Sequence, residues 1–164
     1  MSEILLDLLG FAFADVYIRA KDSPNMTYIK YKVDTGANRT TIRRDLLNDL
    51  GYDDAWINAG TLLTGDDRPT VATGLPIDDC YIVYLPEINI GDYVGYNWPF
   101  LTSFSTNFRD LLGTSTMQFF NWEINYEKDI CRYELIPGKR KVLFNQKEQS
   151  MHSLDELDNN TIEE

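Results

Sequence analysis

One histidine and two cysteines in 164 residues leave little room for metal or nucleophile chemistry. The histidine, His152, falls in a polar C-terminal stretch, which argues against a Ser-His-Asp or Cys-His site and against a zinc cluster. Cys80 and Cys131 are too few and too far apart for a disulfide framework and read as buried free thiols. No apolar run approaches the ~18 residues that span a bilayer, and the opening MSEILLDLLGFAF is acidic where a secretory signal needs a basic flank. The expectation is a cytoplasmic protein with no membrane partner. Basic residues are scarce as well, 15 against 26 acidic ones, and at a formal charge of −11 a nucleic acid would approach against a repulsive field. Neither a Gly-x-Gly-x-x-Gly fingerprint nor a Gly-x-x-x-x-Gly-Lys phosphate loop occurs. The Asp doublets at 53–54, 66–67 and 78–79 lack the alternating spacing of a calcium loop and read as solvated turn charge, so neither metal nor organic cofactor is expected.

What is present is ordinary globular material for about one domain, 43% hydrophobic and 13% aromatic. FAFADVYIR (11–19) and TYIKYKVD (27–34) are rich in aromatic and β-branched residues and read as strands joined through the turn former KDSPN. In TIRRDLLNDL (41–50), Ile42, Leu46, Leu47 and Leu50 recur at helical spacing before Gly51. Residues 61–105 alternate β-rich runs with Gly, Pro and Asp turn signals. A short helix is then expected after Leu111 and Leu112, followed by a hairpin with Glu127-Lys128-Asp129 at its tip. The resulting division is an N-terminal segment 1–10 that is a candidate dimer contact, a domain over 11–137, and a polar, finally acidic tail over 138–164. That tail has too little apolar surface to offset chain entropy and is expected to be mobile.

The candidate chemistry sits at the end of the second strand. Asp-Thr-Gly taken alone is also a turn sequence, because Asp caps backbone amides and Gly tolerates unusual dihedrals. The longer string VDTGANRTTI says more, since an acid ends a strand and bulk is withheld just after it. It resembles the catalytic loop of the retropepsin-like aspartic proteases, an apolar residue followed by Asp-Thr/Ser-Gly-Ala, often with Thr or Ser three residues on and then an aliphatic. The matching positions are Val33, Asp34, Thr35, Gly36, Ala37, Thr40 and Ile42. Leu111, Leu112 and Gly113 match the aliphatic pair and glycine that open the family's C-terminal helix. PTVATGLPIDDCYIVYLPEINIG, with Thr73, Gly74 and Leu75 near its tip, is similar to the substrate-covering flap of bacterial or retrotransposon versions.

The resemblance implies a mainly β fold, a retropepsin-like acid-protease β-barrel with a flap hairpin and a short C-terminal helix. It also implies an aspartic endopeptidase acting on protein or peptide substrates. Such chemistry needs two carboxylates sharing a proton, because like charges about 3 Å apart cannot both ionise. This chain carries one Asp-Thr-Gly, so the implied enzyme is a C2 homodimer with Asp34 from each subunit. Gly36 and Ala37 would then provide the low bulk of two abutting loops, Thr35 would hydrogen-bond across the dimer, and Leu111 and Leu112 would pack behind. Retroviral members usually have Asp after the Asp-Thr-Gly-Ala string and Arg after the second glycine; Asn38 and Thr114 stand here. The alternative is a non-catalytic dimerisation or peptide-binding module that keeps the fold. The acidic surface favours basic or unfolded substrates, although global charge says little about a pocket.

Overall fold

A computed structural model describes residues 2–154. Alternation of side chains makes the first strands. β1 is Ser2–Leu5 and β2 is Phe13–Arg19; along β2, Ala14, Val16 and Ile18 are wholly buried on one face. β3, Met26–Val33, does the same with Ile29 and Tyr31, and pairs antiparallel with β2 from Phe13↔Lys32 to Arg19↔Met26 across the expected turn.

Chain reversals then place two short helices, α1 at Arg44–Asp49 and α2 at Asp54–Asn58. The Asp53 carboxylate caps α2 by accepting from Trp56 N at 2.8 Å, and Asp54 pairs with Arg44 at 3.1 Å. That doublet thus performs a structural task. α1 starts later than the 41–50 periodicity suggests, because residues 40–42 are taken up by the sheet described next.

β4 (Thr61–Leu62) lies against the start of β5 (Cys80–Ile90), which forms a long hairpin with β6 (Tyr93–Ser103). β5 joins β2 at Tyr17↔Asn89 and Ile18↔Ile88, while β7 (Leu111–Leu112) runs parallel to the end of β3. Residues 40–42 close the ring. Thr41 N donates to Leu111 O at 2.9 Å, Ile42 N to Leu101 O at 3.0 Å, and Leu101 N to Thr40 O at 2.9 Å. The circuit β6, β5, β2, β3, β7 and 40–42 returns to β6, giving the expected mainly β barrel, which encloses Tyr31, Trp98, Phe100, Leu85 and Ile88.

A three-stranded sheet lies beside the barrel. α3 (Thr114–Met117), the expected short helix, leads into β8 (Phe120–Asn125) and β9 (Ile130–Leu135), and β1 pairs with β9 from Ser2↔Tyr133 to Leu5↔Ile130. The N-terminal segment read as a candidate dimer contact thus bonds through β1 to β9 within one chain. The turn after β1 leaves Leu8 and Leu9 exposed.

The segment expected as a mobile tail is in part sheet, which corrects that reading over 141–153. β10 (Lys141–Asn145) runs parallel to β6, and β11 (Ser150–Ser153) pairs antiparallel with β10. Composition concealed this, because only alternate residues, Val142 and Phe144, turn inward while lysines and glutamines face water. Residues 155–164, the acidic end of that expected tail, lie outside the described residues. Phe144 stacks on Tyr84 with centroids 5.6 Å apart, and Asn97 Nδ2 donates to its carbonyl. Phe144→Ala is expected to cost about 3 kcal/mol of stability, read as a lowered thermal midpoint; an unchanged midpoint would mean that β10 is not docked. No helix among the described residues is long and apolar enough to cross a membrane.

Candidate active site

Asp34 follows directly on β3 and is half-buried. Its N–H donates to Leu112 O at 3.1 Å, so the backbone is tied to β7 just where the carboxylate begins. The chain then turns back at once: Gly36 N donates to Asp34 Oδ1 at 2.9 Å and Ala37 N to Asp34 O at 3.2 Å. A Cβ on Gly36 would press on that carboxylate oxygen at 3.2 Å. Thr35 and Gly36 are exposed.

The rest of the loop is locked to the start of α3. Thr114 N donates to Ala37 O at 2.9 Å and Ser115 N to Asn38 O at 3.0 Å, while the Thr114 hydroxyl reaches the same Asn38 carbonyl at 3.4 Å. The uncharged pair Asn38 and Thr114 thus meets inside one chain. Gly113 sits so tightly under the loop that a Cβ there would overlap the Arg39 carbonyl and lie 2.9 Å from Ala37 O.

Below these backbone bonds is a buried hydroxyl cluster. Thr40 Oγ1 lies 2.6 Å from Thr116 Oγ1 and accepts from Gly113 N at 3.2 Å; the Trp98 indole N–H donates to Thr116 Oγ1 at 3.0 Å. All three side chains are fully buried. Their hydrogen-bonding capacity is met internally, as burial requires. Thr116 and Trp98 were not singled out from sequence, and a threonine one turn into a helix gave no signal beyond its spacing from Gly113.

On the other flank, the Arg43 backbone N–H and Nε donate to the two Asp110 carboxylate oxygens at 3.1 and 3.0 Å, and Asp110 raises the Arg43 pKa further. The Tyr31 hydroxyl donates to Thr41 O at 2.8 Å, with burial pushing its pKa well up. Both contacts fasten the 40–42 segment against β3 and β7.

The residues read as a flap form their own small hairpin. Val71 N donates to Leu75 O at 2.9 Å and Gly74 N to Val71 O at 2.8 Å, Gly74 turning the chain at φ +85°. Thr73, Gly74 and Leu75 are exposed, and among the described residues no hydrogen bond ties them to the Asp34 loop. Asp34 through Thr40 and Leu111 through Gly113 are therefore brought together by hydrogen bonds in which, among the described residues, the flap tip takes no part. A groove of about 410 Å³ opens beside the loop, lined by Arg39 and Ser115 on one side and by Leu63, Ile82, Phe144 and Met151 on others. No cluster of three His, Cys, Asp or Glu side chains able to hold a metal ion occurs among the described residues.

No family model and no curated protein matches the chain. Among solved structures, the crystal structure of a retropepsin-like aspartic protease from Rickettsia conorii is similar, with a TM-score of 0.58 at 21% identity. The match covers 79% of this chain and 86% of that one. This likeness establishes the retropepsin-like fold.

Proposed function

We propose that this chain, which has the retropepsin-like fold, is one half of an aspartic endopeptidase whose catalytic pair is Asp34 from each subunit of a homodimer. The observation that carries the reading is Asp34 itself. A half-buried carboxylate with, among the described residues, only one oxygen engaged, by Gly36 N–H, stands on a loop whose next two residues face outward. A turn former has no need of the backing that this loop receives from Gly113, Thr40 and Thr116.

In the dimer the two carboxylates share one proton, since both cannot ionise at contact distance. The ionised one takes a proton from water as the oxygen attacks the scissile carbonyl. The protonated one donates to the carbonyl oxygen, and the tetrahedral intermediate collapses as a proton passes to the departing amine. Thr35 holds the two loops in register across the axis. Thr73, Gly74 and Leu75 cover an extended substrate, and the hydroxyl cluster beneath keeps the carboxylates from drifting, a form of preorganisation.

The test is to incubate the folded full chain with a diverse peptide pool across mildly acidic to neutral pH, reading cleavage by mass spectrometry and oligomeric state by sedimentation. Cleavage that rises faster than linearly with protein concentration in the dissociating range is expected. A verified dimer that leaves every peptide intact would favour a binding module instead.

A further inference from the structure

The protein is acidic overall, yet three cations line one cavity along the strand that leads to Asp34. On β3 the outward-facing positions alternate, so Lys30 and Lys32 share the face that Asp34 continues just beyond the strand end. Arg109 comes from the loop entering β7, where Lys32 N donates to Asp110 O at 3.1 Å and Lys32 is in register with Leu111. These three side chains help line a cavity of about 380 Å³ whose apolar wall includes Phe11 and Phe13.

The rings position the charges. Lys32 Nζ lies 3.5 Å from the Phe11 ring centroid, and Lys30 Nζ lies 4.5 Å from that of Phe13. Neither lysine nor Arg109 forms an ion pair among the described residues. The two carboxylates on the same rim are already engaged: Asp110 holds Arg43 through both oxygens, and Asp7 Oδ1 accepts from Leu9 N at 2.9 Å and Phe11 N at 2.8 Å. The cavity therefore carries three cations with no ion-pair partner among the described residues, against the Asp7 carboxylate and with Asp15 opposite Lys30 on β2.

We infer that this pocket receives an aspartate or glutamate side chain of the peptide, within about three residues of the bond cut at Asp34, since each residue advances an extended chain about 3.3 Å. The inference rests on the reading of Asp34 as a peptide-cutting carboxylate and adds to it a substrate class, peptides with an acidic residue next to the cut. It opposes what global charge suggests. A carboxylate fixed against ammonium and guanidinium groups gains charge-assisted hydrogen bonds at short range, where the field of distant surface acids is largely screened.

The experiment uses the full chain and an octapeptide pool in which every position samples Glu, Gln and Lys, with cut sites read by mass spectrometry. The measured quantity is the Glu-to-Gln ratio at each position, internal to each protein. Wild type is expected to favour Glu about 5- to 10-fold at one position near the cut, and Lys32→Gln with Arg109→Gln to bring the ratio toward one. Lys32→Glu is expected to move the preference toward Lys, a gain that loss of folding cannot imitate. Cleavage without a Glu preference, or a preference that survives the double substitution, overturns the pocket and leaves the protease reading intact. Absence of any cleavage overturns the protease reading instead. The pocket is then judged by retention of the same pool on immobilised Asp34→Asn protein, where enrichment of Glu peptides supports it and equal retention of Glu and Gln peptides removes it.

Discussion

Asp34→Asn is expected to remove peptide hydrolysis, with kcat falling at least about 1,000-fold, while the fold stays in place. The side chains are nearly isosteric, and the amide oxygen can keep the bond from Gly36 N–H that the carboxylate oxygen now accepts at 2.9 Å. What disappears is the ability to take a proton from water. The shared-dyad reading adds a sharper consequence for mixtures. If subunits exchange freely, an equal mixture of wild type and Asp34→Asn retains about a quarter of the activity of undiluted wild type at the same total concentration, because only one dimer in about four carries two carboxylates. Retention of about half would instead mean that each chain works alone. The rate is measured on any peptide cut by wild type, with circular dichroism confirming equal folding.

Gly113→Ala is expected to destabilise the protein by about 3 kcal/mol, near the upper end of ordinary overpacking. At φ −88° the residue has unexceptional dihedrals, so the cost is steric rather than conformational. The added methyl meets two backbone carbonyls, of Arg39 and Ala37, and neither can swing aside as a side-chain tip would. Relief would require the Asp34 loop to lift off α3, breaking the bonds at Ala37 and Asn38. Calorimetry should show a midpoint lowered by roughly 6–12 °C at this chain length, with activity lost in parallel. Gly138→Ala is the control: nothing lies within 4 Å of its Cβ position and only its φ of +81° resists substitution, so a loss of about 1 kcal/mol is expected. Equal losses at the two glycines would mean that Gly113 is not the contact described.

What could be read in advance was whatever is written locally. The alternation in residues 11–19 and 27–34, the acid at a strand end, and the aliphatic pair before Gly113 are short-range patterns, and β2, β3, Asp34 and α3 stand where they indicated, whereas the pair itself is a short strand, β7. The closure of the barrel was not legible. Residues 40–42 look like the first turn of a helix, and only hydrogen bonds to Leu101 and Leu111, some sixty to seventy residues away in sequence, make them part of the sheet. α2 was missed because five residues are too few to show a period; its signal was the Asp53 cap and the Tyr52–Trp56 ring contact at 4.3 Å. β10 and β11 were missed because short strands near a sheet edge need few apolar residues. At the candidate site, the string around Asp34 was visible, whereas the buried partner of Thr40 was not, since a threonine's role depends on what faces it.

The Trp98 indole proton offers a consequence of a different kind. It is held by Thr116, which touches Thr40, and all three are sealed from water, so this proton can exchange with deuterium only when the seam between the Asp34 loop and α3 comes apart. Its exchange rate would therefore act as a clock for that seam, timing how often the Asp34 loop and α3 loosen from each other.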